Sequence, residues 1–98
     1  MYRNKSYDEE LSKELQDMEF AQGFLLTLIE GEEGLDLEDA LKHTIERMGI
    51  KEYSKASRIP APHVVSFIKG RRKLKTETLD AFLKPFRLKT KVVVEKAS

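Results

Sequence analysis

Four cations fall within five residues at Lys69-Gly70-Arg71-Arg72-Lys73. Clustered Lys and Arg side chains offer fixed positive charge and several N–H donors, and the chemistry they suit best is the holding of phosphate oxygens. Ser66 precedes Lys69 by three residues and adds a hydroxyl that can bond to a base edge. A solvated loop could have the same composition, but three successive cations just after a helical stretch are well placed for phosphates. Other reactive side chains are sparse. His43 and Glu46 have the spacing of an exposed helical charge pair, and His63 reads as a packing residue or a contact at a phosphate edge. There is no cysteine, which excludes disulfides, thiolate metal sites and cysteine nucleophiles, and two histidines are too few for an all-histidine zinc cage. No glycine-rich phosphate loop and no Ser/His/Asp cluster occurs, and 98 residues enclose little pocket. Neither catalysis nor a cofactor or metal is expected.

A net charge of +1 conceals a polar distribution. Residues 1–46 carry four basic and thirteen acidic side chains, a net of −9, whereas residues 47–98 carry fourteen basic and four acidic, a net of +10. Such asymmetry hints at nucleic-acid binding by the basic half, although two solvated faces of opposite sign would look alike. Apolar residues make up 40% and charged residues 36%, a composition that suits a packed core beneath a solvated surface. No apolar run approaches the length of a membrane span, and residues 1–17 lack the apolar centre of a secretory signal. The expectation is a soluble protein of the cytoplasm with no membrane partner.

The elements that must position these groups are short helices. Ser6-Tyr7-Asp8-Glu9 has capping-box spacing and predicts a helix over about 7–16, with Leu11 and Leu15 one turn apart. Asp17 caps a second helix over 18–30, whose apolar face combines Phe20, Phe24, Leu25, Leu28 and Ile29, and Gly31-Glu32-Glu33-Gly34 ends it. Asp36 is the next cap, before Leu37, Leu41, Thr44, Ile45 and Met48 at helical spacing, with Gly49 as the stop. Two short helices follow, about 51–58 and 61–69, across the turn Ile59-Pro60-Ala61-Pro62. Tyr53, Ser57, Ile59, Val64 and Phe67 would face inward. Pro60, Ala61, Pro62, Val65, Ser66 and Lys69 would face outward. Thr76 caps a last helix with Leu79, Phe82, Leu83 and Phe86 inward, kinked or ended by Pro85. The β-branched tail Lys89-Thr90-Lys91-Val92-Val93-Val94-Glu95 reads as a strand, strongest over 91–95, which has to pair outside the helices and is a candidate for joining two copies.

Two short helices across a tight turn have the rhythm of a helix-turn-helix unit. From about Asp36 to Leu88, with Gly70 after the second helix of the unit and a basic loop beyond it, the sequence resembles the lambda-repressor-like (Xre-type) helix-turn-helix family. It departs from that family at Arg58, where glycine is frequent, at Ser54, where alanine is common, and in the apolar start Pro60-Ala61-Pro62 of the recognition helix. When Asp17-Met18-Glu19-Phe20-Ala21, Gly31-Glu32-Glu33-Gly34, Arg47-Met48-Gly49 and the tail Phe86 to Val94 are included, most of the chain is similar to addiction-module antidote proteins, the HigA-like antitoxins.

The resemblance implies an all-α lambda-repressor-like bundle of about five to six helices, with an acidic N-terminal helical arm (1–34), a helix-turn-helix domain (35–98) and a short C-terminal β-strand. It further implies a homodimeric repressor that binds double-stranded operator DNA and neutralises a small RelE-like ribonuclease toxin. The DNA-facing candidates are Ala61, Pro62, Val65, Ser66, Lys69, Arg71, Arg72 and Lys73. The acidic arm opposes the charge expected of a ribonuclease, so Phe20, Phe24, Leu28 and Ile29 are the candidate toxin contacts; the alternative is that they pack against the helix from Asp36. A fragment starting at Leu35 is expected to keep DNA binding and lose toxin neutralisation. The competing functions are a protein-interaction module that kept the helix-turn-helix fold without binding DNA, and a stand-alone phage-type repressor.

Overall fold

A computed structural model describes residues 5–70, 74–91 and 94, with backbone alone for 5–8. The described residues are all-helical: α1 (Lys5–Leu15), α2 (Met18–Glu30), α3 (Leu37–Met48), α4 (Ile50–Ser57), α5 (Ala61–Lys69), α6 (Thr76–Leu83) and a 3-10 turn (Lys84–Phe86). No strand occurs among them. Lys91 and Val94 are outside regular structure, and Val92, Val93 and Glu95 of the expected strand lie outside the described residues. None of these helices is long and apolar enough to cross a membrane.

The helix ends follow local chemistry. The Asp17 carboxylate accepts the Glu19 N–H at 3.0 Å and so starts α2. Asp36 stands at the cap of α3 but makes no side-chain capping bond there; its carbonyl instead accepts the Ala40 N–H at 2.8 Å. The negative charge of Glu38 and Asp39 still meets the positive end of that helix. α1 already runs at Lys5, so Ser6 lies inside the helix rather than capping it. Gly49 sits between α3 and α4 at φ 110°, where a Cβ would collide with the Glu52 carboxylate, and this lets one helix follow another without a loop. Pro85 removes a backbone donor, and α6 tightens there into the 3-10 turn.

One hydrophobic cluster runs through the molecule. Leu15, Ala21 and Leu25 from α1 and α2 are fully buried together with Ala40, Leu41, Ile45, Tyr53 and Val64. Two long-range hydrogen bonds tie the same helices down: the Ser12 hydroxyl donates to the Met48 carbonyl at 2.8 Å, and the Gln22 amide donates to the Phe86 carbonyl at 2.9 Å. α1 and α2 thus share their core with α3 and with the C-terminal helices.

Among the described residues Tyr53 is the largest fully buried side chain. Its ring stacks on Phe82 and Phe86, with centroids 6.0 and 5.9 Å away. Its hydroxyl donates to the Phe82 carbonyl at 2.6 Å, near the end of α6. Burial pushes the phenol pKa well up, against a smaller lowering by Ser57. Tyr53→Phe keeps the stacking but leaves a buried carbonyl without its partner. It is expected to cost about 1–3 kcal/mol, read as a lower denaturant midpoint at an unchanged slope.

Candidate functional site

The α4–α5 pair is held by side chains as much as by packing. Three residues, Arg58 to Pro60, connect the helices. The Ser54 hydroxyl donates to the Ile59 carbonyl at 2.6 Å, and the Ile59 N–H donates to the Ser57 hydroxyl at 3.1 Å. Alanine in place of Ser54 would pack as closely but could not hold the turn carbonyl. Arg58 closes α4 in the left-handed conformation at φ 64°, and its N–H donates to the Ser54 carbonyl at 2.8 Å. The conformation is the one glycine adopts most freely, so this turn carries a cation at a backbone cost.

α5 is amphipathic in the register expected. Val64 and Phe67 are buried, whereas Pro62, His63, Ser66 and Lys69 are exposed. Ala61 and Val65 are half-buried, so of the outward candidates on this helix Pro62, Ser66 and Lys69 have the freest side chains. Arg71, Arg72 and Lys73 lie outside the described residues. Of the inward set, Tyr53, Val64 and Phe67 are buried, and Ser57 and Ile59 are half-buried. Pro60 and Pro62 have no N–H, and the His63 N–H is occupied by the Pro60 carbonyl at 2.9 Å. The start of α5 is thus poor in free donors for an anion.

The other end of α5 is anchored by a residue the sequence reading passed over. The Lys42 ammonium on α3 donates to the Gly70 carbonyl at 3.0 Å and lies 5.6 Å from the centre of the Phe67 ring. A cation at a helix C-terminus favours both the terminal carbonyls and the helix dipole. Nothing local to α5 signals this bond, because 28 residues separate its partners.

On the acidic half, only Phe20 of the four proposed toxin contacts is an exposed side chain, at 42%. Phe24, Leu28 and Ile29 are half-buried and pack against the core cluster, which is where most of the apolar face of α2 goes. Phe20 and Phe24 line a shallow groove with Leu11, rimmed by Glu10 and Glu14 of α1. Its volume is about 230 Å³, below the roughly 300–1,000 Å³ of small-molecule pockets and suited to apolar side chains of another protein segment. Among the described residues no three His, Asp or Glu side chains gather as a metal site.

At its C-terminus the chain is fastened by Asp80. The Thr90 N–H and hydroxyl both donate to the same Asp80 carboxylate oxygen, at 2.7 and 2.8 Å. These two bonds hold the Asp80 pKa below the usual carboxylate range, with Lys89 adding to the effect. Beyond this latch Lys91 and Val94 are exposed.

Compared with protein-family models, with curated proteins and with solved structures, the chain matches none.

Proposed function

We propose that the chain is a helix-turn-helix repressor that binds operator DNA as a dimer and acts as the antitoxin of a small ribonuclease. The observation that carries the DNA half is the α4–α5 pair, in which a short, tightly tied turn leaves Ser66 and Lys69 exposed on a helix that buries Val64 and Phe67. In this reading α5 enters the major groove, Ser66 and Lys69 meet base edges, and Ala61, Pro62 and Val65 offer apolar contact to thymine methyls. Arg71, Arg72 and Lys73, which follow directly in sequence, take phosphates, as does Arg58 at the turn. Two copies would address half-sites about 34 Å apart. Retardation of DNA from the gene's own promoter, measured across salt concentrations, tests this. A folded protein that retards no DNA at low salt ends the DNA half of the proposal.

The two prolines at the start of α5 favour a second reading, a module of the same architecture that binds only protein. Two missing donors and an occupied third weaken the end of the helix that a groove reader would press against the backbone. The same titration separates the readings.

Arg58 offers a sharper test because strain and function pull in opposite directions there. Arg58→Gly relieves the left-handed backbone and is expected to stabilise the fold by up to about 1 kcal/mol, a rise of several degrees in melting temperature. It also removes a cation from the proposed interface, so DNA affinity falls as stability rises. Unchanged affinity in the stabilised variant assigns Arg58 to the solvated surface.

The antitoxin half rests on the acidic N-terminal half and on the Phe20–Phe24 face. Opposite charge speeds encounter with a basic ribonuclease, and an apolar contact slows release. Co-expression with the small reading frame beside the gene is expected to yield a co-purifying pair and to rescue growth arrest. Independent purification of two folded proteins overturns it.

A further inference from the structure

α5 and α6 meet at the Phe67–Phe82 ring pair, whose centroids lie 4.5 Å apart with the rings tilted by 34°. Above that pair the two helices leave a groove of about 850 Å³. Its floor combines the two rings with the half-buried side chains of Ile59 and Leu74. Phe67 and Phe82 keep 6% and 5% exposure, whereas Tyr53 and Val64 in the same cluster keep none, so the groove reaches the rings themselves. The walls are exposed side chains, His63 and Ser66 from α5 and Thr78 and Ala81 from α6.

Size and charge decide what such a groove suits. Its volume falls within the roughly 300–1,000 Å³ of small-molecule sites. Nine described residues line it, against the roughly 20–30 a side of a stable protein interface, so it is too small to hold a second copy by itself. Among the described residues no Lys, Arg, Asp or Glu lines it. Lys69, Lys75, Glu77 and Lys84 are exposed on the same stretch of chain but form no part of its walls. A charged ligand would lose its hydration there without gaining a counter-charge. Aromatic rings on the floor favour a further ring in tilted or offset contact, and the hydroxyls and the imidazole at the mouth can fix its orientation.

We propose that the α5–α6 groove binds a small uncharged aromatic molecule, its ring against Phe67 and Phe82 and a hydrogen-bonding group at the Thr78 hydroxyl or the His63 ring. Ser66 is shared with the proposed DNA face, whereas Thr78, Ala81 and the floor belong to neither the DNA face nor the toxin face. The site therefore stands whether or not the chain binds DNA.

N-phenylnaphthylamine, an uncharged arylamine whose fluorescence rises in apolar surroundings, is a suitable probe. Titrated into the full chain, it is expected to saturate at one molecule per chain. Ala81→Arg and Thr78→Arg each push a long cation into the groove from an exposed position on α6, and two such positions keep the test alive if one variant fails to fold. With helical content unchanged by circular dichroism, each should bind the probe at least about tenfold more weakly. Phe20→Ser, which alters the separate α1–α2 groove, should bind it like the wild type. Absence of saturable binding overturns the proposal, as does wild-type affinity in either folded arginine variant. Loss of binding in the Phe20→Ser chain moves the probe to the other groove and overturns it too. Apparent affinity that falls as protein concentration rises puts a second copy over the groove, with the same consequence.

Discussion

A chain beginning at Leu35 is expected to lose cooperative unfolding altogether. Removing α1 and α2 takes away Leu15, Ala21 and Leu25, all fully buried, and strips cover from Leu41, Ile45 and Met48 on α3. Emptying the space of one buried leucine costs about 2–5 kcal/mol, and two leucines are lost here along with the packed parts of Leu11, Met18, Phe24, Leu28 and Ile29. That sum rivals the roughly 5–15 kcal/mol that holds a whole domain together. The Met48 and Phe86 carbonyls lose their Ser12 and Gln22 donors too. Thermal melts followed by circular dichroism should show a broad, non-cooperative loss of helix where the full chain shows a sharp transition. For this reason the fragment cannot be used to separate DNA binding from toxin neutralisation; point changes at Phe20, which is exposed, serve that purpose. A fragment that melts sharply would mean that α3 to α6 close a core by themselves.

Most helix boundaries could be read from the chain because their causes are local. Asp17 starts α2, Gly49 separates α3 from α4, the Pro60 and Pro62 pair opens α5, and Pro85 stops α6. The inward register of α5 was legible for the same reason, since Val64 and Phe67 sit at helical spacing within nine residues. What escaped the sequence is long-range. Lys42 reaches Gly70 across 28 residues, Ser12 reaches Met48 across 36, and Gln22 reaches Phe86 across 64. No pattern in a local window can announce a hydrogen bond whose acceptor is a distant helix end. The face of α2 was legible only in outline for a related reason: five apolar residues cover too wide an arc to say which edge meets the core, and the neighbouring helices select Ala21 and Leu25 for full burial, leave Phe24, Leu28 and Ile29 half-buried against the core, and leave Phe20 outside. Ser54 escaped differently. It stood out only as a departure from the alanine common in the family it resembles, whereas its hydroxyl, bonded to the Ile59 carbonyl, fixes the turn.

On the proposed function, the double substitution Arg71→Ala and Arg72→Ala is expected to weaken binding to every DNA sequence and to flatten its salt dependence. Each phosphate contact releases condensed counterions, so the slope of log affinity against log salt should lose about 0.9 per cation, or about 1.8 for both. Over a fourfold rise in salt, from 50 to 200 mM, that difference amounts to roughly tenfold. The advantage of the wild type is therefore largest at low salt and shrinks by that factor as salt rises, a behaviour that loss of a base contact would not produce. Lys13 is a suitable control, being an exposed cation on α1 in the acidic half. Lys13→Ala should leave the slope where it was, because counterions are released only where phosphates are touched. Ser66→Ala should also keep the slope while shifting preference at a single base pair. Since neither arginine has a described position, the slope itself reports whether they reach the duplex. A folded double mutant with the wild-type slope removes both from the interface and leaves Arg58, Lys69 and Lys73 as the candidate cations to hold α5 on the backbone.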